Sequence, residues 1–238
     1  MTTNDIKDSI RHFDFRAQYW SELYTRASFK DRRDLFVRSA KKWFADQSQV
    51  LDYGCGSGVL TFALSINGFN VIAVDASKEM IVRARAESNF DYDVTPIFDC
   101  IDPDTWFSEP REYENIICSS VIEYVEDELS FLRQLASILK PGGYMLISVP
   151  NATSLIGRLQ DLFLSVRAIL GKQDDKRDLS YAKMRYTKHD MADLGKHVGL
   201  EVLEATNFEV PKLGSWSIPL SRNRLVGVMT LFVLKKNA

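Results

Sequence analysis

Residues 50–58 read VLDYGCGSG, a short apolar run that leads directly into a turn with three glycines. The residues that follow have a helical pattern, with apolar side chains at Leu60, Leu64 and Ile66. A buried strand, a glycine-rich turn and a helix in this order are typical of the first unit of a doubly wound α/β sheet. Because glycine has no side chain, such a turn lets a ligand approach the backbone closely.

An acidic residue after this unit indicates what the ligand contains. Asp75 follows Gly54 by about 20 residues and ends the next predicted strand. In a doubly wound sheet, an acid at this place accepts hydrogen bonds from ribose hydroxyl groups. The pattern therefore predicts a ribose-containing ligand. The alternative is a turn whose glycines serve packing, followed by an acid that caps the next helix.

Apolar runs and helical patterns alternate along the rest of the chain, which predicts a sheet whose strands are joined by helices. One helix is predicted from Asp127 to Lys140, ended by a Pro-Gly-Gly turn at residues 141–143. Two helices rich in aromatic side chains are predicted within residues 14–44. The predicted strands are Val50–Tyr53, Asn70–Val74, Val94–Phe98, Asn115–Ser119, Tyr144–Val149, about Leu200–Ala205, and Leu225–Leu234.

The composition argues against several classes of function. The 238 residues include 30 Lys and Arg against 32 Asp and Glu, so no overall positive field attracts nucleic acid. Cys55, Cys100 and Cys118 have no C-x-x-C spacing, which argues against a zinc site and favours a reducing compartment. The first residues have neither the basic region nor the apolar stretch of a signal peptide. We expect a soluble, cytoplasmic protein without a metal.

The glycine turn separates two families of ribose-binding proteins. Gly58 comes one place early for the G-x-G-x-x-G pattern of dinucleotide sites. The arrangement D-x-G-x-G-x-G, with VDASKEM at residues 74–80, instead resembles the class I S-adenosylmethionine-dependent methyltransferases. Residues 114–125 (ENIICSSVIEYV) resemble the fourth strand and loop of that family, and residues 139–143 (LKPGG) resemble the turn before its fifth strand. The resemblance is strong over roughly residues 48–150.

This resemblance implies a Rossmann-like, mostly parallel seven-stranded sheet with helices on both faces and an antiparallel last strand. It also implies S-adenosylmethionine as cofactor and S-adenosylhomocysteine as product. In the family, the glycine turn passes the methionine and ribose parts, and acids after the second and third strands bind the ribose hydroxyls and the adenine amino group. The matching residues here are Asp52, Gly54, Gly56, Gly58, Asp75, Ala76, Met80, Asp99, Cys100, Ser119 and Tyr19. For Met80 and Cys100, core filling explains burial equally well.

Few side chains are needed for the chemistry, because a sulfonium is already an activated methyl donor. A base is required only if the acceptor must lose a proton. The candidates are Tyr124, where many relatives carry a histidine, together with His189 and His12; Glu123 is considered beside Tyr124. For His189, a capping box of Thr187 and Asp190 favours a solvent-exposed place in the first turn of a helix.

A single domain is expected, with its acceptor site under a lid. The lid contains an amphipathic helix predicted at residues 152–170, after the fifth strand, where open α/β sheets expose their ligand crevice. Residues 151–188 hold eight Lys and Arg against four Asp and Glu, so this helix either covers the acceptor or makes a peripheral membrane contact. The regions are an N-terminal helical cap (1–47), a cofactor-binding core (48–150), the lid insertion (151–186), and a C-terminal helix with strands (187–238).

The predicted function is methyl transfer from S-adenosylmethionine to an oxygen of a small, partly apolar molecule, because aromatic and aliphatic residues dominate both covers. Quinone-biosynthesis and other small-molecule methyltransferases are the nearest resemblances. A nucleobase acceptor is not expected, because Ser119-Ser120 departs from the N/D-P-P-Y/F motif of base N-methyltransferases. The alternatives are a non-catalytic S-adenosylmethionine-binding module and a nicotinamide-dependent oxidoreductase, for which a Tyr-x-x-x-Lys pair is missing.

Overall fold

A seven-stranded sheet with helices packed against it forms most of the part of the chain that is described. The computed structural model describes residues 10–15, 17, 27–87, 96–159, 185–209 and 226–237. The strands are β1 (Gln49–Tyr53), β2 (Asn70–Asp75), β3 (Ile97–Cys100), β4 (Tyr113–Ser119), β5 (Leu139–Pro150), β6 (Leu200–Phe208) and β7 (Met229–Lys236). The helices are α1 (Ala27–Trp43), α2 (Val59–Ile66), α3 (Lys78–Glu87), α4 (Glu128–Ser137) and α5 (Lys188–His197), with 3₁₀ turns at Trp106–Ser108 and Ile122–Tyr124. A further helical segment occupies residues 10–15.

The strand order is β3-β2-β1-β4-β5-β7-β6. Strands β1 to β5 run parallel, whereas β7 is antiparallel to both β5 and β6. The predicted mostly parallel seven-stranded sheet with an antiparallel last strand is therefore confirmed. The strand order reverses between β1 and β4, and open α/β sheets bind ligands outside the carboxyl ends of the strands at such a reversal.

Helices cover both faces of the sheet, as predicted. Leu51 of β1 belongs to a core shared with α4 and α5, whereas its neighbour Val50 belongs to a core shared with α1 and α2. Successive residues of a strand point to opposite faces, so each strand contributes to both cores. Within the aromatic N-terminal region, Phe36 and Ala40 of α1 are fully buried against this second face of the sheet.

The boundary between α4 and β5 differs from the prediction. Helix α4 ends at Ser137 rather than Lys140, because Leu139 already pairs with Tyr113 of β4. The register shifts just after this pair, and Gly143 lies so close to Glu114 that a Cβ atom would be 2.4 Å from its carbonyl oxygen. The Pro-Gly-Gly segment is therefore the irregular start of β5 and not a turn outside it.

The third strand begins later than predicted. It covers Ile97–Cys100 rather than Val94–Phe98, and residues 94 and 95 lie outside the described residues. Its end is set by pairing with β2, in which Cys100 is the partner of Asp75. Among the helices that the structure describes, none is long and apolar enough to cross a membrane.

Candidate functional site

The glycine turn is tied to the end of β2. The backbone N–H groups of Gly54 and Cys55 both donate to the carbonyl oxygen of Val74, at 2.8 and 3.0 Å. Gly54, Gly56 and Gly58 all have positive φ, at 76°, 55° and 84°, a conformation that favours glycine. A Cβ atom on Gly54 would lie 2.3 Å from Cγ2 of Val121, and one on Gly58 would meet the ring of Phe98 at 2.9 Å. The turn thus depends on glycine for both backbone angle and space.

Asp75 is the acid that the turn closes around. Its carboxylate accepts hydrogen bonds from the N–H groups of Gly56, at 2.7 Å, and Ser77, at 2.8 Å. Burial raises the pKa of Asp75 above its ordinary value. The hydrogen bonds from Ser77 and Gly56 lower the pKa, and the nearby charge of Asp14 raises it. A carboxylate has about four lone-pair sites, so two backbone donors leave it able to accept more hydrogen bonds.

Asp52 lies beneath the turn rather than at its surface. It is only 1% exposed, and Oδ2 accepts a hydrogen bond from the hydroxyl of Thr61 in α2 at 2.5 Å. Burial raises the pKa of Asp52 to about 7; the Thr61 hydrogen bond opposes this rise and the charge of Asp75 adds to it. Asp52 therefore links β1 to α2 from below the loop.

Replacing Thr61 by valine is expected to lower the free energy of unfolding by about 1–3 kcal/mol at about pH 8, where Asp52 loses its hydrogen-bond donor while ionised. The loss should be smaller at about pH 5, where the folded Asp52 is protonated. Denaturant titration at both pH values measures it. Thr61→Ser keeps the hydroxyl and is the matched control. A valine variant as stable as wild type at about pH 8 would mean that the hydrogen bond from Thr61 to Asp52 does not stabilise the fold.

The helical segment 10–15 bridges two strand ends. Asp14 accepts hydrogen bonds from the Ser77 hydroxyl at 2.5 Å and from the Glu79 N–H at 3.4 Å, after β2. The ring of Phe13 meets Tyr124, after β4, edge to face at 5.3 Å between centroids. This segment therefore lies across the point where the strand order reverses. His12 is part of it, with its ring 5.6 Å from that of Phe13.

The residues after β2 and β3 divide between the two faces of the sheet. Cys100 pairs with Asp75 and shares its face, with Sγ 3.9 Å from the carbonyl oxygen of Ala76. Asp99 pairs with Val74, whose side chain points to the other face of the sheet, and its exposed carboxylate is 3.9 Å from Arg85. Of the two predicted residues at this strand end, only Cys100 is brought to Asp75.

Three serines join the ends of β4 and β5. The hydroxyls of Ser119 and Ser148 are 3.2 Å apart, and the N–H of Ser120 donates to the Ser148 hydroxyl at 3.2 Å. Ser120 has a positive φ of 56°, which is uncommon outside glycine. Arg32 of α1 donates to the Ser120 hydroxyl at 3.2 Å and to Glu209 at 2.6 Å.

Some buried polar atoms have no hydrogen-bond partner within the described part of the chain. They include Oγ of Ser57, in the glycine turn, Oε2 of Glu123, in the 3₁₀ turn after β4, and the hydroxyl of Tyr186. Unpaired buried polar atoms are rare and costly, and they concentrate at functional sites. Sequence reasoning missed both Ser57 and Tyr186: Ser57 stands in the glycine turn but is not one of its glycines, and no local pattern marks Tyr186.

A family of methyltransferase domains matches residues 11–205 of this chain. The chain belongs to this methyltransferase family. A curated relative, the ubiquinone biosynthesis O-methyltransferase of Xanthomonas campestris pv. campestris (strain B100), is 34% identical over 111 residues, and the match covers 44% of each protein. The chain thus spans less than half the length of that relative. The protein of the same name from Rickettsia typhi (strain ATCC VR-144 / Wilmington) is 30% identical over 200 residues, 81% of this chain and 73% of the relative.

Solved structures share the fold at low sequence identity. The magnesium protoporphyrin IX methyltransferase of Synechocystis PCC 6803 with bound S-adenosylmethionine superposes with a TM-score of 0.68 and 16% identity, covering 100% of this chain and 99% of that chain. A putative methyltransferase in complex with the Haloferax volcanii Trm112 activator has a TM-score of 0.66 and 19% identity, covering 95% and 98%. The solved methyltransferases thus share the sheet architecture of this chain, in agreement with the family match.

Of the remaining predicted site residues of this methyltransferase domain, some lie near Asp75 and others do not. Met80 is buried in the first turn of α3, and its N–H donates to the Ser77 hydroxyl at 3.2 Å. His189 is not brought to the site: its side chain is 84% exposed in the first turn of α5, 3.3 Å from Asp193. The predicted capping box of Thr187 and Asp190 is present, which explains this exposure. Tyr19 and residues 160–170 of the predicted lid helix lie outside the described residues.

Proposed function

We propose that this protein transfers a methyl group from S-adenosylmethionine to a hydroxyl oxygen of a small, partly apolar molecule. The observation that carries the proposal is the Asp75 carboxylate, held by the N–H groups of Gly56 in the glycine turn and of Ser77 just before α3, close to the point where the strand order reverses. Membership of the methyltransferase family supports the activity, and relatives named ubiquinone biosynthesis O-methyltransferase support an oxygen acceptor.

The residues present fit the cofactor. The glycine turn presents backbone without side chains, since a Cβ atom at Gly54 or Gly58 would collide with Val121 or Phe98, and the buried Ser57 hydroxyl within the turn has no hydrogen-bond partner among the described residues. Asp75 would accept hydrogen bonds from the ribose hydroxyls, and Ala76, Met80 and Cys100 would contact the adenine part. When bound, S-adenosylmethionine supplies an electrophilic methyl group on a sulfonium. The family resemblance implies that Asp99 binds the adenine amino group. The pairing of Asp99 with Val74, on the face of the sheet opposite to Asp75, does not favour this role.

The other elements would exclude water and form the walls of the site. The segment 10–15 would cover the crevice through Asp14 and Phe13. Ser119 and its partners at the end of β5 would form the far wall, beside the acceptor. Asp52 would act from below by holding α2 to β1, so that the turn keeps its shape.

Replacing Asp75 by asparagine is expected to weaken S-adenosylmethionine binding about 10- to 100-fold, because charge-assisted hydrogen bonds to the ribose are lost. Calorimetric titration measures the affinity. Asp99→Asn on the neighbouring strand is the matched control and should change the affinity less than about threefold, since its carboxylate lies on the other face. Undiminished affinity in folded Asp75→Asn would remove Asp75 from the site, and a large loss in Asp99→Asn would restore the adenine role.

The activity is tested by supplying S-adenosylmethionine with a labelled methyl group to a panel of alkylphenols, alkylcatechols and metabolite extracts. Transfer of label to a hydroxyl compound supports the proposal. Cofactor binding without transfer to any compound would favour a non-catalytic binding module. Binding of NADH instead of S-adenosylmethionine, measured by calorimetry, would favour an oxidoreductase.

Two apolar side chains at the start of the predicted lid helix are exposed. Leu155 and Leu159 are 52% and 65% exposed, beside Arg158. We expect Leu155→Ser with Leu159→Ser to raise the Michaelis constant for an alkylphenol while leaving cofactor affinity unchanged, as for a cover over the acceptor. If the segment contacts a membrane, wild-type protein should bind anionic vesicles in a salt-dependent way and the double variant should not. A variant that behaves as wild type in both measurements would contradict both roles.

The charge and the cysteines of the chain bear on the class of acceptor and on the cellular compartment. A small-molecule acceptor rather than nucleic acid is supported by the balanced charge of the chain. All three cysteines are free, which supports a reducing compartment such as the cytoplasm.

A further inference from the structure

The Glu123 carboxylate is buried at the strand end where the acceptor would lie. It belongs to the 3₁₀ turn that follows β4 and is 3% exposed. Within the described residues, Oε2 has no hydrogen-bond partner. Burying a carboxylate oxygen without a partner is expensive, and an apolar residue or glutamine at this position would avoid that cost. Glu123 therefore places a proton-binding oxygen in the interior and lowers the stability of the folded protein.

The charged and titratable groups around Glu123 come from several elements. Arg32 of α1 faces it, as do Glu209 after β6 and Cys118 of β4. Burial is the main effect and raises the pKa of Glu123 to about 7; Glu209 raises it further, whereas Arg32 and the Ser120 hydroxyl oppose the rise. A carboxyl group with a pKa near neutral can both accept and release a proton at physiological pH.

A second unpartnered group lies at the same end of the sheet. Tyr186 is bridged to the end of β5: its N–H donates to Pro150 at 2.9 Å, and its carbonyl accepts from Ala152 at 3.1 Å. Its buried hydroxyl also has no partner within the described residues. Burial raises the pKa of Tyr186, and the charges of Glu128 and Glu123 raise it further, so the hydroxyl remains a neutral donor. Glu123 and Tyr186 thus offer one acceptor and one donor atom.

We propose that Oε2 of Glu123 takes the proton of the acceptor hydroxyl during methyl transfer and that the Tyr186 hydroxyl donates a hydrogen bond to the same acceptor oxygen. This assignment rests on the proposed methyltransferase activity. The O–H bond of the acceptor breaks, its proton goes to Glu123, and its electron pair stays on oxygen. As the new C–O bond forms, the methyl–sulfur bond breaks and its electron pair stays on sulfur. The positive charge of the donor and the negative charge of the carboxylate disappear together.

The test compares two acceptors of different acidity. An alkylphenol, with a pKa of about 10, is protonated at about pH 8 and needs a base, whereas a nitrophenol is largely ionised and does not. Glu123→Gln is expected to slow methylation of the alkylphenol about 100-fold or more and that of the nitrophenol less than about threefold. The wild-type rate with the alkylphenol should rise with pH through about 7, and this rise should be absent in Glu123→Gln. Tyr186→Phe should lower kcat/KM about tenfold for both acceptors.

Two controls separate proton transfer from structure. Glu126→Gln, in the same loop but exposed, should leave rates and pH profile unchanged. Infrared spectra of the protein alone should contain bands of protonated carboxyl groups that disappear as the pH rises through about 7, and Glu123→Gln should lack the part that Glu123 contributes while the part from Asp52 remains. Equal slowing of both acceptors, or an unchanged pH profile in Glu123→Gln, would overturn the assignment while leaving the methyltransferase activity intact. Wild-type protein that binds S-adenosylmethionine but methylates neither phenol nor any compound of the wider panel would overturn the activity, and the assignment with it.

Discussion

Replacing Gly54 by alanine is expected to lower the free energy of unfolding by about 3 kcal/mol and to abolish measurable S-adenosylmethionine binding. A left-handed backbone costs a non-glycine residue about 1–2 kcal/mol, and φ is 76° here. The added Cβ would also lie 2.3 Å from Cγ2 of Val121, and such overpacking costs about 1–3 kcal/mol. Relief of this contact must move either the glycine turn or the loop after β4, which together frame the proposed cofactor site. Denaturant titration and calorimetry measure the two effects.

Two further variants divide this loss into its parts. Gly68→Ala has a similar φ of 92° but no atom within 4 Å of the added Cβ, so it reports the backbone cost alone. Gly54→Ala combined with Val121→Ala removes the contacting methyl group and should recover the overpacking part. If Gly54→Ala were no more costly than Gly68→Ala, the close contact with Val121 would have no energetic weight.

Glu123→Gln is expected to raise the free energy of unfolding by about 3 kcal/mol at about pH 8.5 and to change it little at about pH 5. The pKa of Glu123 rises from an ordinary 4.5 to about 7 in the fold, and each pKa unit corresponds to about 1.4 kcal/mol. For an acid whose folded pKa is raised, the stabilisation is fully present below the unfolded pKa and is lost as pH rises through the folded pKa. Wild-type protein should therefore lose this amount between about pH 4.5 and pH 8, and the variant should not.

The measurement is a series of denaturant titrations across this pH range. Asp52 also titrates near pH 7, but it is common to both proteins and cancels in the difference. Glu126→Gln on the exposed part of the same loop should follow wild type within about 0.5 kcal/mol. Parallel stability curves for wild type and Glu123→Gln would mean that Glu123 titrates as an ordinary exposed acid, and the proposed base would lose its physical support.

Short-range patterns predict the features that contiguous residues control. The glycine turn and its spacing to Asp75 can be recognised because the backbone angles at Gly54, Gly56 and Gly58 admit few other residues. The capping box of Thr187 and Asp190 can be recognised because both hydrogen bonds lie within four residues, and it correctly indicates the exposure of His189. The alternation of strands and helices likewise predicts the sheet and its helices on both faces.

Features that depend on contacts between distant segments have no such local signal. Which of Asp99 and Cys100 shares the face of Asp75 depends on the register between β3 and β2, and a shift of one residue exchanges the two faces. The sequence by itself determined the fold class, the glycine turn and the acid after β2, because turn geometry and hydrophobic period act over a few residues. Only the tertiary structure decided that Asp99 pairs with Val74 rather than with Asp75, and that buried oxygens of Glu123 and Tyr186 have no hydrogen-bond partner within the described residues. Burial and hydrogen bonding are set by segments distant along the chain.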